Sequence, residues 1–212
     1  MMNKTVYAML ITGILCTISN LTMAQGNSWY VAGGLGVSFA NDVDNEQLGT
    51  TVTAEFDTGM LGTVAVGHTF GGWRAEGELA YLQNDISSLK VGSMSAPAGG
   101  DFSAAALMAN VYYDIDTDSK WKPFIGAGAG FANVSINNLA SGGIAIADDS
   151  AGVFAYQLKA GIGYAFTDAL DGTLGYRFFG TADADFVDTG GTPFTSDGLQ
   201  VNVIEGGVRY RF

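Results

Sequence analysis

The chain has 212 residues, of which 48% are hydrophobic, 12% aromatic and 14% charged, with 31 glycines and a formal net charge of −12. That length suits one domain, and glycine and aromatic residues at this level favour many short strands and turns over helices. The acidity excludes a nucleic-acid footprint, and no internal apolar run reaches the roughly 18 residues of a spanning helix.

Residues 1–24 read as a secretory signal cleaved before Gln25. Lys4 supplies the positive start, residues 7–18 the apolar stretch, and Thr22-Met23-Ala24 the small-x-small site. Cys16, the one cysteine, follows Leu15 within the apolar stretch, a poor lipoprotein site. It leaves with the signal, so the domain expected over 25–212 has no thiol chemistry.

From there the chain alternates with a period of two. In residues 29–40, Trp29, Val31, Leu35, Val37 and Phe39 share one face and Tyr30, Ala32, Gly34 and Ser38 the other. Residues 60–70 continue with Val64, Val66 and Phe70, and only Gly71-Gly72 separates them from the next run, a hairpin signal. There Trp73, Ala75, Leu79 and Tyr81 alternate with Arg74, Glu76 and Glu78. Residues 103–113 set Leu107, Ala109, Val111 and Tyr113 against Met108, Asn110 and Tyr112. Residues 124–133 set Ile125, Ala127 and Phe131 against Phe124, Gly126, Gly128 and Gly130. Residues 154–166 oppose Tyr156, Leu158, Ile162 and Tyr164 to Gln157 and Lys159. The seventh run, from Leu170, opposes Leu174, Tyr176 and Phe178 to Asp171, Thr173 and Arg177. The last, 199–212, places Ile204, Val208, Tyr210 and Phe212 opposite Glu205, Arg209 and Arg211.

Turning the apolar rows to lipid and the charged rows inward predicts an all-β fold, a transmembrane up-and-down antiparallel β-barrel of eight strands. A soluble ligand-binding barrel would need the reverse parity, with apolar residues inside. The links after the second, fourth and sixth strands, the polar turn from Asp114 to Trp121 among them, are short and expected in the periplasm. The segments 41–59, 84–101, 134–153 and 180–198 are expected as long extracellular loops. Trp29, Trp73, Tyr113, Tyr164, Phe166 and Tyr210 gather at the predicted periplasmic end, and Phe39, Tyr81, Phe131 and Phe154 at the other. Two interfacial girdles follow.

Taken together, Trp29-Tyr30-Val31-Ala32-Gly33, Ala109-Asn110-Val111-Tyr112-Tyr113-Asp114, Pro123-Phe124-Ile125-Gly126-Ala127-Gly128, Gly175-Tyr176-Arg177 and Arg209-Tyr210-Arg211-Phe212 carry a family resemblance. The chain from residue 25 resembles small outer-membrane barrels of the OmpA-like and opacity-protein type, including surface antigens of alphaproteobacteria. The resemblance implies the outer membrane of a Gram-negative bacterium, with outer-membrane lipid and lipopolysaccharide as surroundings. It also implies that Tyr210 and Phe212 form the carboxy-terminal signal read by the barrel-assembly machinery. The peptidoglycan-binding domain of OmpA has no counterpart in these motifs, so a cell-wall tether is not carried over.

The inward rows collect Arg74, Lys159, Arg177 and Arg209 against Glu76, Glu78, Asp171 and Glu205, an even balance. Glu78, Lys159, Arg177 and Glu205 fall at similar depth, so a lumenal ion-pair network is expected. It is either a structural plug, since eight strands enclose a lumen that side chains can fill, or the gate of a small low-conductance porin. In the second case Arg177 or Lys159 exchanges carboxylate partners, and inward Gly126, Gly128 and Gly130 leave room for water.

The long segments carry Asp42, Asp44, Glu46, Glu55, Asp57, Asp85, Asp101, Asp148, Asp149, Asp183, Asp185, Asp188 and Asp197 against Lys90 alone. This is a solvated surface that resists association, or a site for ions bridging to lipopolysaccharide or for a basic host or surface ligand. Asp114-Ile115-Asp116-Thr117-Asp118 imitates the start of a calcium loop, but Ser119 replaces its turn glycine and Ile125 its closing Glu. No metal or cofactor is expected. His68, the one histidine, falls on the lipid-facing row where no Ser or Asp converges, so no enzyme is expected either.

Overall fold

Two-residue alternation sends every other side chain to the same face of a strand, and a lipid-facing row needs a closed ladder to satisfy its backbone. The computed structural model describes residues 28–41, 43–47, 50–91, 94–141, 144–188 and 190–212. The expected signal, 1–24, and Asp42 lie outside the described residues, as do the side chains of Asp44, Glu46, Glu55, Lys90 and Asp148.

Among the described residues twelve strands form: β1 (Trp29–Ala40), β2 (Val43–Gln47), β3 (Thr50–Phe56), β4 (Gly59–Phe70), β5 (Trp73–Val91), β6 (Met94–Asp114), β7 (Trp121–Ser141), β8 (Ile144–Ala165), β9 (Leu170–Thr181), β10 (Ala184–Val187), β11 (Pro193–Ser196) and β12 (Gln200–Arg211). Eight of them close an antiparallel barrel in the order β1, β4, β5, β6, β7, β8, β9, β12. The closing seam pairs β1 with β12 from Tyr30↔Arg211 to Ala40↔Val201. The Phe212 N–H extends it by donating to the Trp29 carbonyl at 3.0 Å. The β4–β5 turn is tight because Gly71 adopts φ 62°, which an L side chain rarely tolerates.

The long segments differ from the expected loops, for much of each is strand. β6 and β7 have 21 residues each and β8 has 22. At about 3.3 Å per residue a strand of that length runs roughly 70 Å, far more than a tilted strand needs to cross an apolar band about 25 Å tall. Their upper halves therefore stand outside the membrane. The wall there continues through β5 to β3, β2, β11 and β10.

Along β7 parity is kept from Phe124 to Ile136, yet the chemistry inverts at the rim. On β7, outward Phe131 is exposed to lipid, and the next outward residue, Asn133, meets water. The inward row of the same strand passes from Gly126, Gly128 and Gly130 to buried Ala132, Val134 and Ile136. Phe102, Val153, Phe179, Phe186, Val201 and Val203 complete an apolar core inside the upper barrel.

The two girdles are exposed bands of rings. At the periplasmic end Trp73 meets Tyr113 with centroids 5.0 Å apart, and Trp121 meets Tyr164 at 4.6 Å. Trp121 was expected in a polar turn, but it opens β7 on the lipid-facing row, 51% exposed. At the outer end Phe131 meets Phe154 edge-on at 6.3 Å.

Candidate functional site: the lumenal network

Every residue of the expected network points into the lower lumen, where it forms three stacked layers. In the upper layer Glu78 of β5 accepts from Lys159 Nζ at 2.6 Å, from Arg177 Nη1 and Nη2 at 2.9 Å each, and from Gln157 Nε2 at 2.9 Å. Glu205 of β12 takes the other side of the same guanidinium, 2.7 Å from Nη2 and 3.0 Å from Nε, and lies 3.7 Å from Lys159 Nζ. Arg177 is 1% exposed and Glu78 2%. Charges so deeply buried persist because each is paired and hydrogen-bonded.

The middle layer is built on neutral donors. Glu76 accepts from Tyr30 Oη at 2.9 Å, Tyr112 Oη at 3.0 Å and Asn110 Nδ2 at 3.2 Å. Asn110 Oδ1 in turn accepts from Gln157 Nε2 at 2.7 Å, and Gln157 Oε1 accepts from Arg177 Nη1 at 2.9 Å, tying this layer to the one above. Glu76 was expected as an ion-pair member; here its hydrogen bonds come from two phenols and an amide. The cation nearest it in sequence, Arg74, lies over the Tyr112 ring at 4.2 Å.

The lower layer closes the periplasmic mouth. Arg74 Nε donates to Asp114 Oδ2 at 2.8 Å, and Arg209 Nη1 lies 3.8 Å from the same oxygen. Arg209 donates to Asp171 through Nη2 at 2.7 Å and Nε at 2.9 Å. Arg211 joins Asp171 as well and reaches the Asp168 carbonyl at 2.9 Å. Sequence reasoning left Asp114 and Arg211 out of the network. Asp114 had been read as the first residue of a polar turn, although it continues the inward row of β6 by two residues from Tyr112. Tyr30, Asn110, Tyr112 and Gln157 were placed inward but given no role, because pairing across a lumen depends on which strands face each other.

The inward glycines also differ from expectation. Gly126 and Gly128 make room for side chains, and at Gly130 a Cβ would strike the Leu107 backbone. A Cβ on Gly126 would strike the Tyr112 ring, and one on Gly128 would overlap Asn110 Oδ1. A cavity of about 70 Å³ remains in the lower lumen, bounded on one side by Gly33, Gly34, Gly206 and Gly207 and on the other by Glu78, Tyr112, Lys159 and Arg177. It is roomy enough for a few waters. The apolar core of the upper barrel lies beyond it on the extracellular side.

His68 lies on the outer wall near the periplasmic end, edge-on to Trp29 at 5.0 Å. It is an interfacial ring among rings. Among the described residues no group of three or more His, Cys, Asp or Glu is arranged to hold a metal ion.

A closed eight-stranded antiparallel wall, apolar outside between two aromatic girdles and charged within, defines an integral outer-membrane β-barrel of a Gram-negative bacterium. Residues 8–212 match the family model described as outer membrane protein beta-barrel domain, and the chain belongs to that family. Among solved structures it is similar to Neisserial surface protein A, with 20% identity and a TM-score of 0.57 over 89% of this chain and 100% of that one. It is also similar to the outer membrane protein OprG from Pseudomonas aeruginosa, with 17% identity and a TM-score of 0.64 over 88% and 96%. The outer membrane protease OmpT from Escherichia coli shares the architecture at 8% identity and a TM-score of 0.52 over 92% and 100%. At these identities the likeness is one of fold. A comparison with curated protein sequences finds no match.

Proposed function

We propose that this barrel is non-conducting and non-enzymatic, and that it serves as a structural, surface-antigen protein whose working face is its extracellular wall. The filling of the lumen carries this reading: a charged lower half locked by Glu78, Arg177 and Glu205, and an upper half packed with apolar side chains. An ion crossing it would have to part buried pairs and then enter a mostly apolar medium with few polar groups, Ser38 and Asn84 among them, which is costly. The wall above the rim presents exposed Asp85, Asp183, Asp185 and Asp197 to the environment. Tyr210 and Phe212 act as the assembly signal for the barrel-assembly machinery, and the girdles sit in outer-membrane lipid and lipopolysaccharide.

The cavity beside Arg177 and Glu205 favours a second reading, a small low-conductance porin gated by the network. Planar-bilayer recordings of wild type, Arg177→Ala and Glu205→Ala decide between them. Silence from all three folded, heat-modifiable forms is the expected result. Discrete openings altered by both substitutions would put the porin first.

A further inference from the structure

The outward row of the barrel turns polar where β12 reaches the outer rim between β1 and β9. Asn202 is flanked in register by Phe39 on one side and by Phe178 on the other. Tyr176 Oη donates to Asn202 Oδ1 at 2.5 Å, and Asn202 Nδ2 reaches Asn41 Oδ1 at 3.5 Å. One ladder step higher the Asn41 N–H donates to the Gln200 carbonyl at 2.9 Å, which sets their exposed side chains next to each other on the same outward face. Beyond Gln200 comes Gly180, and the Tyr156 phenol lies over it: a Cβ there would stand 2.5 Å from the ring. Three carboxamides thus stand among four rings on the outside of the wall.

Most of their hydrogen-bonding capacity is unused. Each amide offers two N–H donors and a carbonyl with two lone pairs. Among the described residues Asn41 accepts one long bond, and the Gln200 amide and Tyr156 Oη take part in none.

Height decides what meets them. Phe39 stands ten residues along β1 from Trp29 of the periplasmic girdle. At about 3.3 Å per residue and a tilt of roughly 40°, this is about 25 Å, the height of the apolar band. The amides therefore lie where acyl chains give way to headgroups, and in lipopolysaccharide those chains hang from a glucosamine disaccharide. Every described lysine or arginine side chain lies in the lower lumen or at the periplasmic end, so the patch has no cation for a phosphate. Neutral amides suit hydroxyls, to which they donate and from which they accept, and exposed rings suit the apolar face of a pyranose.

We propose that this patch is a saccharide subsite for the acylated glucosamine unit of outer-leaflet lipopolysaccharide. Asn41, Gln200 and Asn202 bond its hydroxyls, and Phe39, Tyr156 and Tyr176 pack against its ring. The inference rests on the proposed setting of the outer girdle in lipopolysaccharide, and not on closure of the lumen.

The test uses the full barrel in zwitterionic micelles, native mass spectrometry and two probes: an acylated glucosamine disaccharide without phosphates, and a diacylglycerol, which has chains but no sugar. Saturable retention of the disaccharide at least tenfold tighter than that of the diacylglycerol is expected. Asn202→Leu/Gln200→Leu abolishes the preference while heat-modifiability is kept, because leucine suits a lipid-facing row. Gln83→Leu, at an exposed amide on the outward row of β5, leaves the preference unchanged. Equal retention of both probes by the wild type, or a preference that survives the double substitution, would overturn the proposal. So would binding that requires both phosphates and calcium, which would give the contact to the acidic wall. Lipopolysaccharide co-purifying with the barrel from outer membranes reports the setting separately: a missing sugar preference overturns the subsite alone, and missing co-purification overturns both.

Discussion

Glu78 is the residue on which the lumen depends most, because one carboxylate serves Lys159, both terminal nitrogens of Arg177 and Gln157. Glu78→Gln keeps its volume and removes its charge, so no cavity accompanies the change. Arg177 then retains Glu205 at 2.7 Å, but Lys159 is left with a carboxylate 3.7 Å away that is already shared. Breaking one partner of a buried pair costs about 3–5 kcal/mol. With a urea slope of about 1–3 kcal/mol per molar, the unfolding midpoint falls by roughly 1–5 M. Removing the orphaned cation as well, in Glu78→Gln/Lys159→Met, recovers most of that loss, since replacing both charges is often near neutral. Urea titrations of the four proteins in a double-mutant cycle, followed by tryptophan fluorescence and heat-modifiable gel migration, measure the coupling. Single effects that add to within about 0.5 kcal/mol, the behaviour of independent sites, would falsify the view of this layer as one unit.

Three further outcomes follow from the same geometry. Gly128→Ala drives a methyl into Asn110 Oδ1 and destabilises by about 1–3 kcal/mol; combined with Asn110→Ala it costs less than the sum, as denaturant titration will show. Asp171→Ala leaves Arg209 and Arg211 without their shared acceptor, and hydrogen-exchange mass spectrometry should find the carboxy-terminal end of β12 exchanging faster while β6 and β7 are unchanged. Leu174→Arg, on the lipid face midway along β9 and 60% exposed, costs about 2–4 kcal/mol, whereas Trp121→Arg at the periplasmic girdle costs about 0–1. Equal costs in refolding titrations in lipid vesicles would place the membrane band elsewhere.

The barrel itself was legible in the residues. A period of two is a local property, and in Trp73-Arg74-Ala75-Glu76 or Gly207-Val208-Arg209-Tyr210 each neighbour reveals which face it occupies. Ring placement then locates the rims without knowledge of which strands pair. The same locality explains what stayed hidden. That Glu78 meets Lys159 and Arg177, residues 81 and 99 positions away, depends on strand tilt and on closure of the barrel, which no window of sequence contains. Asp114 and Arg211 join the lower layer for that reason too, and Tyr112 fills the space over Gly126 for the same one.

The extracellular wall lies between these cases. Its inward apolar row, Ala132, Val134 and Ile136, is written in the sequence, yet it carries the parity of the polar row below the rim and the opposite chemistry. Sequence alone determined which residues share a face. Only the tertiary structure decided where the outside of that face changes from lipid to water and the inside from charge to packed core, because that boundary is set by the height of each residue in the closed barrel and not by its neighbours in the chain.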